Sequence, residues 1–221
     1  MDYYHNVRTD LIEPFKNQQG LKILEVGAAS CSTLLYLKET KIAKHVTGVE
    51  LLEVDPELQN HELIDRMIIG NFEDDQLDLE NDFDVIICGD VLEHMIDPWK
   101  AVKNIYNHLK PNGHLIFSVP NIRFFKVLLK IGLKGSFKYE DSGIFDRTHL
   151  RFFCLEDAKE LATQAGFKIE QCLSDLDVRP NNEKISLKDK KYLFHKFTFG
   201  LFKELLSYQN IIYSKKIKQI N

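Results

Sequence analysis

What this sequence has little of narrows its function first. It has four cysteines, Cys31, Cys88, Cys154 and Cys172, and no two of them form a CxxC pair. Thiols scattered in this way pack as small hydrophobes, which fits a reducing compartment. Positive charge is not in excess either. Against 33 acidic side chains stand 29 lysines and arginines, a formal net charge of -4, so nothing global points to nucleic acid. No stretch approaches the ~18 apolar residues that a membrane-spanning helix needs. The opening MDYYHNVRTD has neither the basic flank nor the apolar core of a secretory leader. A cytoplasmic protein, neither secreted nor membrane-spanning, is the expectation. Internal repeats and low-complexity segments are absent. No HxH pair occurs and no motif of metal ligands stands out, so no metal site is expected, although carboxylates and His94 could assemble one in space.

What is present is an alternation of short β-branched runs with longer helical patterns, the mark of βα units and a mostly parallel sheet. Strands are predicted at Lys22–Val26, Val46–Glu50, Arg66–Ile69, Phe83–Cys88 and His114–Val119. VIIC and LIFSV are continuous apolar runs, as expected of strands covered on both faces. Ser30 or Ser32 is placed to cap a helix through Leu37, and Asp55-Pro56 and Asp97-Pro98 read as helix starts. Pro111-Asn112-Gly113 closes a helix over Trp99–Leu109. Beyond Pro120 the spacing predicts a helix over Asn121–Leu133, an irregular stretch to Phe153, a helix at Leu155–Ala165 and a strand at Phe167–Leu173. A polar loop over Asp175–Lys191, a helical stretch at Phe199–Leu206 and a last strand at Tyr208–Ser214 complete the chain. With 221 residues and 44% hydrophobic content, one domain is expected over 1–221, with an insertion at about 121–153 over the active site.

Chemistry concentrates in ILEVGAASCSTLL, Ile23 to Leu35. A strand, a tight turn at Gly27 and a helix start aim free backbone N–H groups and a positive helix end at one spot. Dinucleotide loops have further glycines where Ala29 and Cys31 stand, so a pyrophosphate is disfavoured there. Glu50, ending the second strand, is placed to accept hydrogen bonds from both hydroxyls of a ribose. An adenosine-bearing ligand follows.

In this order, ILEVGAASCSTLL, GVE, GNFED, FDVIICGDVLEHMIDP and LKPNGHLIFSVPN resemble the class I S-adenosylmethionine-dependent methyltransferases. The resemblance covers about Leu21 to Gly166 and, with YQNIIYSKK, nearly the whole chain. It implies an α/β, Rossmann-like seven-stranded sheet of order 3-2-1-4-5-7-6, mostly parallel with one antiparallel strand and helices on both faces. It implies S-adenosylmethionine as cofactor. Glu25 and Gly27 match the family's acid two residues before a glycine-rich turn. By the same resemblance Gly27, Ala28 and Ala29 pass beneath the methionine moiety and Glu50 takes the ribose. Asn71 and Phe72 meet the adenine, and Gly89, Asp90 and Val91 contact the methionine amino group. Alanine fits such a loop if its φ is negative, so binding is expected to survive at Ala29.

Methyl transfer to an alcohol also requires the loss of a proton, which makes a histidine near the donor useful. His94, in DVLEHMIDP, stands at a strand end where open α/β sheets place ligands, and a helix N-terminus there favours its neutral form. His149, in GIFDRTHLRFF, lies between Asp146, Arg147 and Arg151, a polar cluster that binds the acceptor or knits the insertion to the sheet. Asp146 and Arg147 are the substrate-binding candidates, read as an ion pair. Asp90 and Glu93 also fit a capping box, a purely structural role. The segment SVPNIRFFKVLLKIGLKGSFKYEDSGIFDRTHLRFFC further resembles a methyltransferase subgroup associated with bacterial cell-surface polysaccharides.

Arg123, Lys126, Lys130 and Lys134 make one basic stripe on a helix rich in apolar residues. Such a helix lies on a membrane surface or, more commonly, packs its apolar face on the sheet while its lysines snorkel. The function expected is O-methylation of a small-molecule or carbohydrate-linked acceptor. The alternatives are N-methylation of a small amine, a binding module without turnover, and a nicotinamide oxidoreductase, which Ala29 and Cys31 oppose. The sequence leaves the oligomeric state open.

Overall fold

The computed structural model describes residues 6–74, 77–177 and 202–217. The seven strands are β1 Leu21–Val26, β2 Ala43–Glu50, β3 Arg66–Ile69, β4 Phe83–Gly89, β5 Leu109–Pro120, β6 Phe167–Ser174 and β7 Gln209–Lys216. They form one sheet in the order β3-β2-β1-β4-β5-β7-β6. Pairing is parallel from β3 through β5, and β7 runs antiparallel to both β5 and β6. The sheet expected from the family resemblance is thus the one the chain adopts.

Alternate side chains of the inner strands feed two apolar layers, which is why those strands read as unbroken hydrophobic runs. Leu24, Val26, Ile86, Cys88, Leu115 and Phe117 face one layer, with helices α4 (Pro98–His108) and α6 (Leu155–Gln164) packed over them. Ile23, Val85, Ile87 and Ile116 face the other, beneath α1 (Thr9–Ile12) and α2 (Ser32–Glu39). Each such aliphatic side chain stabilises the fold by roughly 1.5–3 kcal/mol when fully buried. The short α3 (Pro56–Gln59) and α4 start as predicted. Asp55 Oδ1 accepts from the Leu58 N–H at 3.1 Å, and Asp97 Oδ1 from the Lys100 N–H at 3.0 Å.

The connection into β5 differs from expectation. Helix α4 ends at His108 and the strand already begins at Leu109, so Pro111-Asn112-Gly113 lies inside β5. Pairing jumps from Phe83–Leu109 to Val85–His114, which makes these residues a bulge. The bulge puts Lys110 Nζ 2.7 Å from Asp84 Oδ1, and Asn112 takes a φ of 66°. Pro111 is tolerated there because a bulge asks no ladder N–H of it.

The segment after Pro120 forms α5 (Phe125–Gly132) and then an irregular run to Phe153. Phe124, Val127, Ile144 and Phe145 make a small apolar cluster of their own. The expected packing of this helix on the sheet is not what occurs. Phe125, Leu128, Leu129 and Ile131 remain between 37% and 48% exposed. Arg123 pairs with Glu204 and Lys130 with Glu140, each at 2.6 Å, so part of the basic stripe is bound to acids. Helix α7 (Lys203–Leu206) precedes β7. Most of the predicted 175–191 loop and residues 199–201 of the predicted helix lie outside the described residues. Among the described residues, no helix is long and apolar enough to cross a membrane.

Candidate active site

The predicted cofactor residues gather at the carboxyl ends of the parallel strands, where ligands sit in open α/β sheets. Gly27 turns the chain out of β1 with a φ of 75°. Any Cβ there would come within 2.1 Å of Val91 Cγ2, so glycine is needed for both the turn and the close packing. The N–H groups of Gly27 and Ala28 are held by the Val49 carbonyl, at 2.8 and 3.2 Å. Ala29 corrects the expectation of a negative φ. Its φ is 46°, and Cys31 follows at 63°, so both side-chain-bearing residues occupy left-handed positions suited to glycine.

That geometry also corrects the predicted serine cap. Cys31 is the N-cap of α2, with no side-chain cap bond, and Ser30 Oγ instead meets Ser32 Oγ at 2.9 Å. The Cys31 thiol is fully buried and burial pushes its pKa up to about 12, which makes it inert filler.

Glu50 holds the loop from the next strand. Its Oε2 accepts the Ala29 N–H and its Oε1 the Leu51 N–H, both at 2.8 Å. Gln59 Nε2 donates to the Ala29 carbonyl at 2.7 Å, a contact with no sign in the sequence. Beneath the loop, Glu25 is only 4% exposed and its Oε2 has no hydrogen-bond partner. Burial pushes its pKa up to about 8, against the pull of Arg8 and a hydrogen bond from Thr33. Asn71 Oδ1 accepts from the Glu73 N–H at 3.0 Å, forming a turn after β3. Phe72 is 6% exposed, packed in the core, and lines a cleft of about 160 Å³ with Leu77, Leu79, Asn104 and His108.

After β4, Gly89 leaves room for Arg8, whose Nη1 would lie 2.9 Å from any added Cβ. Asp90, with a φ of 54°, ties three distant segments together. It accepts from Arg8 Nη1 at 2.7 Å, from Ser118 Oγ at 3.0 Å and from Gln209 Nε2. Sequence reasoning missed Arg8, Ser118 and Gln209. A lone hydroxyl inside the apolar LIFSV run was the available signal for Ser118; Arg8 and Gln209 had none.

The Asp90–Glu93 capping box does not form. Residues Leu92–His94 make a single 3-10 turn, and both carboxylate oxygens of Glu93 are buried without a partner, at 1% exposure. Burial raises the Glu93 pKa well above the ordinary carboxylate range, and the nearby Asp90 charge adds to it. The insertion docks on this turn, since the Glu93 carbonyl accepts the N–H groups of Leu150 and Arg151 at 2.8 and 3.0 Å.

Docking brings the two candidate histidines together, with ring centroids 4.7 Å apart and edge-on. His94 Nδ1 faces the Thr148 carbonyl at 3.2 Å and His149 Nδ1 the Ile144 carbonyl at 3.1 Å. A carbonyl only accepts, so Nδ1 carries a proton on both rings, and Nε2 is the nitrogen that bears the lone pair of a neutral ring. His149 is buried at 8% exposure, and burial lowers its pKa against the Ile144 bond, which favours the neutral ring. Asp146 and Arg147 do not form the expected ion pair. Asp146 Oδ1 takes the Thr148 N–H and hydroxyl at 2.8 and 2.6 Å, while the exposed Arg147 pairs with Asp141.

Residues 3–172 match the family model described as a methyltransferase domain. The chain belongs to that family. It is a methyltransferase. This methyltransferase is 27% identical over 171 residues to the ubiquinone biosynthesis O-methyltransferase of Coxiella burnetii, covering 74% of this chain and 70% of the relative. Over 190 residues it is 25% identical to the protein of the same name from Hydrogenovibrio crunogenus, covering 83% and 77%. A solved structure of a putative methyltransferase from Bacillus halodurans shares its fold. The TM-score is 0.61 at 16% identity, over 95% of this chain and 98% of that one.

Proposed function

We propose that this methyltransferase acts on a hydroxyl oxygen of a small or carbohydrate-linked acceptor. The observation that carries the reading is the meeting of His94 and His149 at the end of β4, each with its Nδ1 engaged by a carbonyl. Two imidazoles with free Nε2 lone pairs are suited to relieving an alcohol of its proton, directly or through a group that acidifies it. The names of the two relatives, both O-methyltransferases, support oxygen as the acceptor atom. The saccharide class rests on the resemblance of the 118–154 segment to polysaccharide-pathway enzymes.

The residues around the loop fit the cofactor. Left-handed backbone at Gly27, Ala29 and Cys31 folds the chain tightly at the end of β1, and Glu50 keeps lone pairs beyond the two backbone bonds for ribose hydroxyls. Glu25, Gly27, Ala28, Ala29 and Glu50 would hold the methionine and ribose, with Asn71 and Phe72 near the adenine. Gly89 and Val91 flank the methionine amino group, while the Asp90 side chain fixes that loop through Arg8 and Ser118. When bound, the sulfonium supplies an electrophilic methyl carbon and a neutral thioether leaving group. The protein's task is alignment of the acceptor and management of its proton. Asp146 holds the turn that carries His149, and Arg147, exposed and paired with Asp141, would meet an acidic acceptor by exchanging that partner.

The test is transfer of labelled methyl from S-adenosylmethionine to a panel of hydroxylated acceptors, nucleotide-linked sugars included, with matched amines. Product methylated at oxygen, lost in His149→Ala with cofactor affinity retained, is expected. Label found only on nitrogen would overturn the assignment.

A further inference from the structure

We infer that Glu93, His94 and His149 form a binding site for one divalent cation of the zinc, manganese or cobalt kind. One ligand atom from each residue lies within 4.8 Å of the other two. Metal–ligand bonds of about 2.0–2.2 Å put neighbouring ligands about 3 Å apart, so side-chain shifts on the order of 1 Å close the set.

Two further observations point the same way. The Glu93 carboxylate is 1% exposed with neither oxygen hydrogen-bonded, and a buried carboxylate without a partner takes up a cation or a proton. Both imidazoles also present the arrangement of metal-ligating histidines, in which one ring N–H is held by a carbonyl and the other nitrogen is left to bind. Two imidazoles and one carboxylate select borderline ions over magnesium or calcium, and three protein ligands leave coordination positions open. Val91, two residues before Glu93, packs on Gly27, so the cluster adjoins the loop after β1.

The inference rests on the O-methylation reading and deepens it. A hydroxyl of the acceptor would occupy an open position on the cation, where its acidity rises and its proton passes to solvent. The histidines then act through the ion and do not take the proton themselves.

The test is titration of the full chain, stripped with a chelator, with Co²⁺, followed by calorimetry and visible absorption. One equivalent is expected to bind, reversibly to chelator, with ligand-field bands of nitrogen and oxygen ligation. Glu93→Gln, His94→Ala and His149→Ala should each weaken binding about tenfold or more. Because Glu93 and His149 are buried, His94→Ala, checked by circular dichroism, decides the matter if the others fail to fold. Wild-type Co²⁺ affinity in folded His94→Ala, or no binding at millimolar Co²⁺, overturns the site. So does an intense thiolate charge-transfer band, which would place the ion on a cysteine. None of these readouts involves methyl transfer, so the site and the choice of acceptor atom stand or fall separately.

Discussion

The Ala29 N–H donates to Glu50 Oε2 across 2.8 Å, joining the loop after β1 to the end of β2 through a residue whose φ is 46°. One carboxylate therefore serves two purposes. It fixes a strained loop, and its remaining lone pairs face the position proposed for a ribose.

Glu50→Ala removes the acceptor for both the Ala29 and Leu51 N–H groups. S-adenosylmethionine affinity should fall by roughly 1–3 kcal/mol, the range for stranding such groups. Calorimetry measures it, and an unchanged dissociation constant would remove Glu50 from the site.

Ala29→Gly should stabilise the folded chain by on the order of 1 kcal/mol, because a left-handed φ costs alanine that much and glycine almost nothing. The larger backbone entropy of an unfolded glycine offsets part of this gain. Cofactor binding should be equal or tighter. Loss of binding with unchanged urea stability would show that the alanine methyl itself contacts the ligand.

Glu25 makes stability depend on pH. Burial lifts the pKa of its carboxyl to about 8, above the ordinary 4.5, so the folded state holds a proton that the unfolded state releases. Below about pH 4.5 both states are protonated and the group has no effect. Stability then falls as pH rises from about 4.5 to about 8 and levels off above, by up to about 5 kcal/mol at about 1.4 kcal/mol per pKa unit. Urea midpoints compared at pH 5.5 and pH 8 should show the fall, and Glu25→Gln should flatten it. An equally steep fall in that variant would assign the effect elsewhere.

Asp146→Ala and Arg147→Ala should differ in thermal melts. Asp146 anchors the Thr148 N–H and hydroxyl, so its loss should cost about 1 kcal/mol and loosen the His149 turn. Arg147 and Asp141 form an exposed pair, and its removal should stay within about 0.5 kcal/mol. Equal losses would mean that Arg147 bears on the fold in a way its exposure does not reveal.

The inner strands were legible in the sequence because buried parallel strands must be apolar on both faces, as VIIC and LIFSV are, while the order of the sheet came with the family resemblance. Asp55 and Asp97 announced their helices because aspartate before proline satisfies a helix start locally. Gly27 and Glu50 were found as candidates by their places at strand ends, and Glu25 by the family resemblance.

Contacts between distant segments were decided by the tertiary structure alone. Nothing near Asp90 in the chain indicates Arg8, Ser118 or Gln209, and nothing near Glu93 indicates His149. The serine cap failed because Ala29 and Cys31 turn left-handed, a backbone state set by how Gly27 packs on Val91 and how Glu50 holds the loop. The proposed capping box failed because Glu93 is pulled under the docked insertion. Periodicity and capping are short-range effects written residue by residue, whereas a buried carboxylate beside two histidines exists only once strand, turn and insertion have folded together.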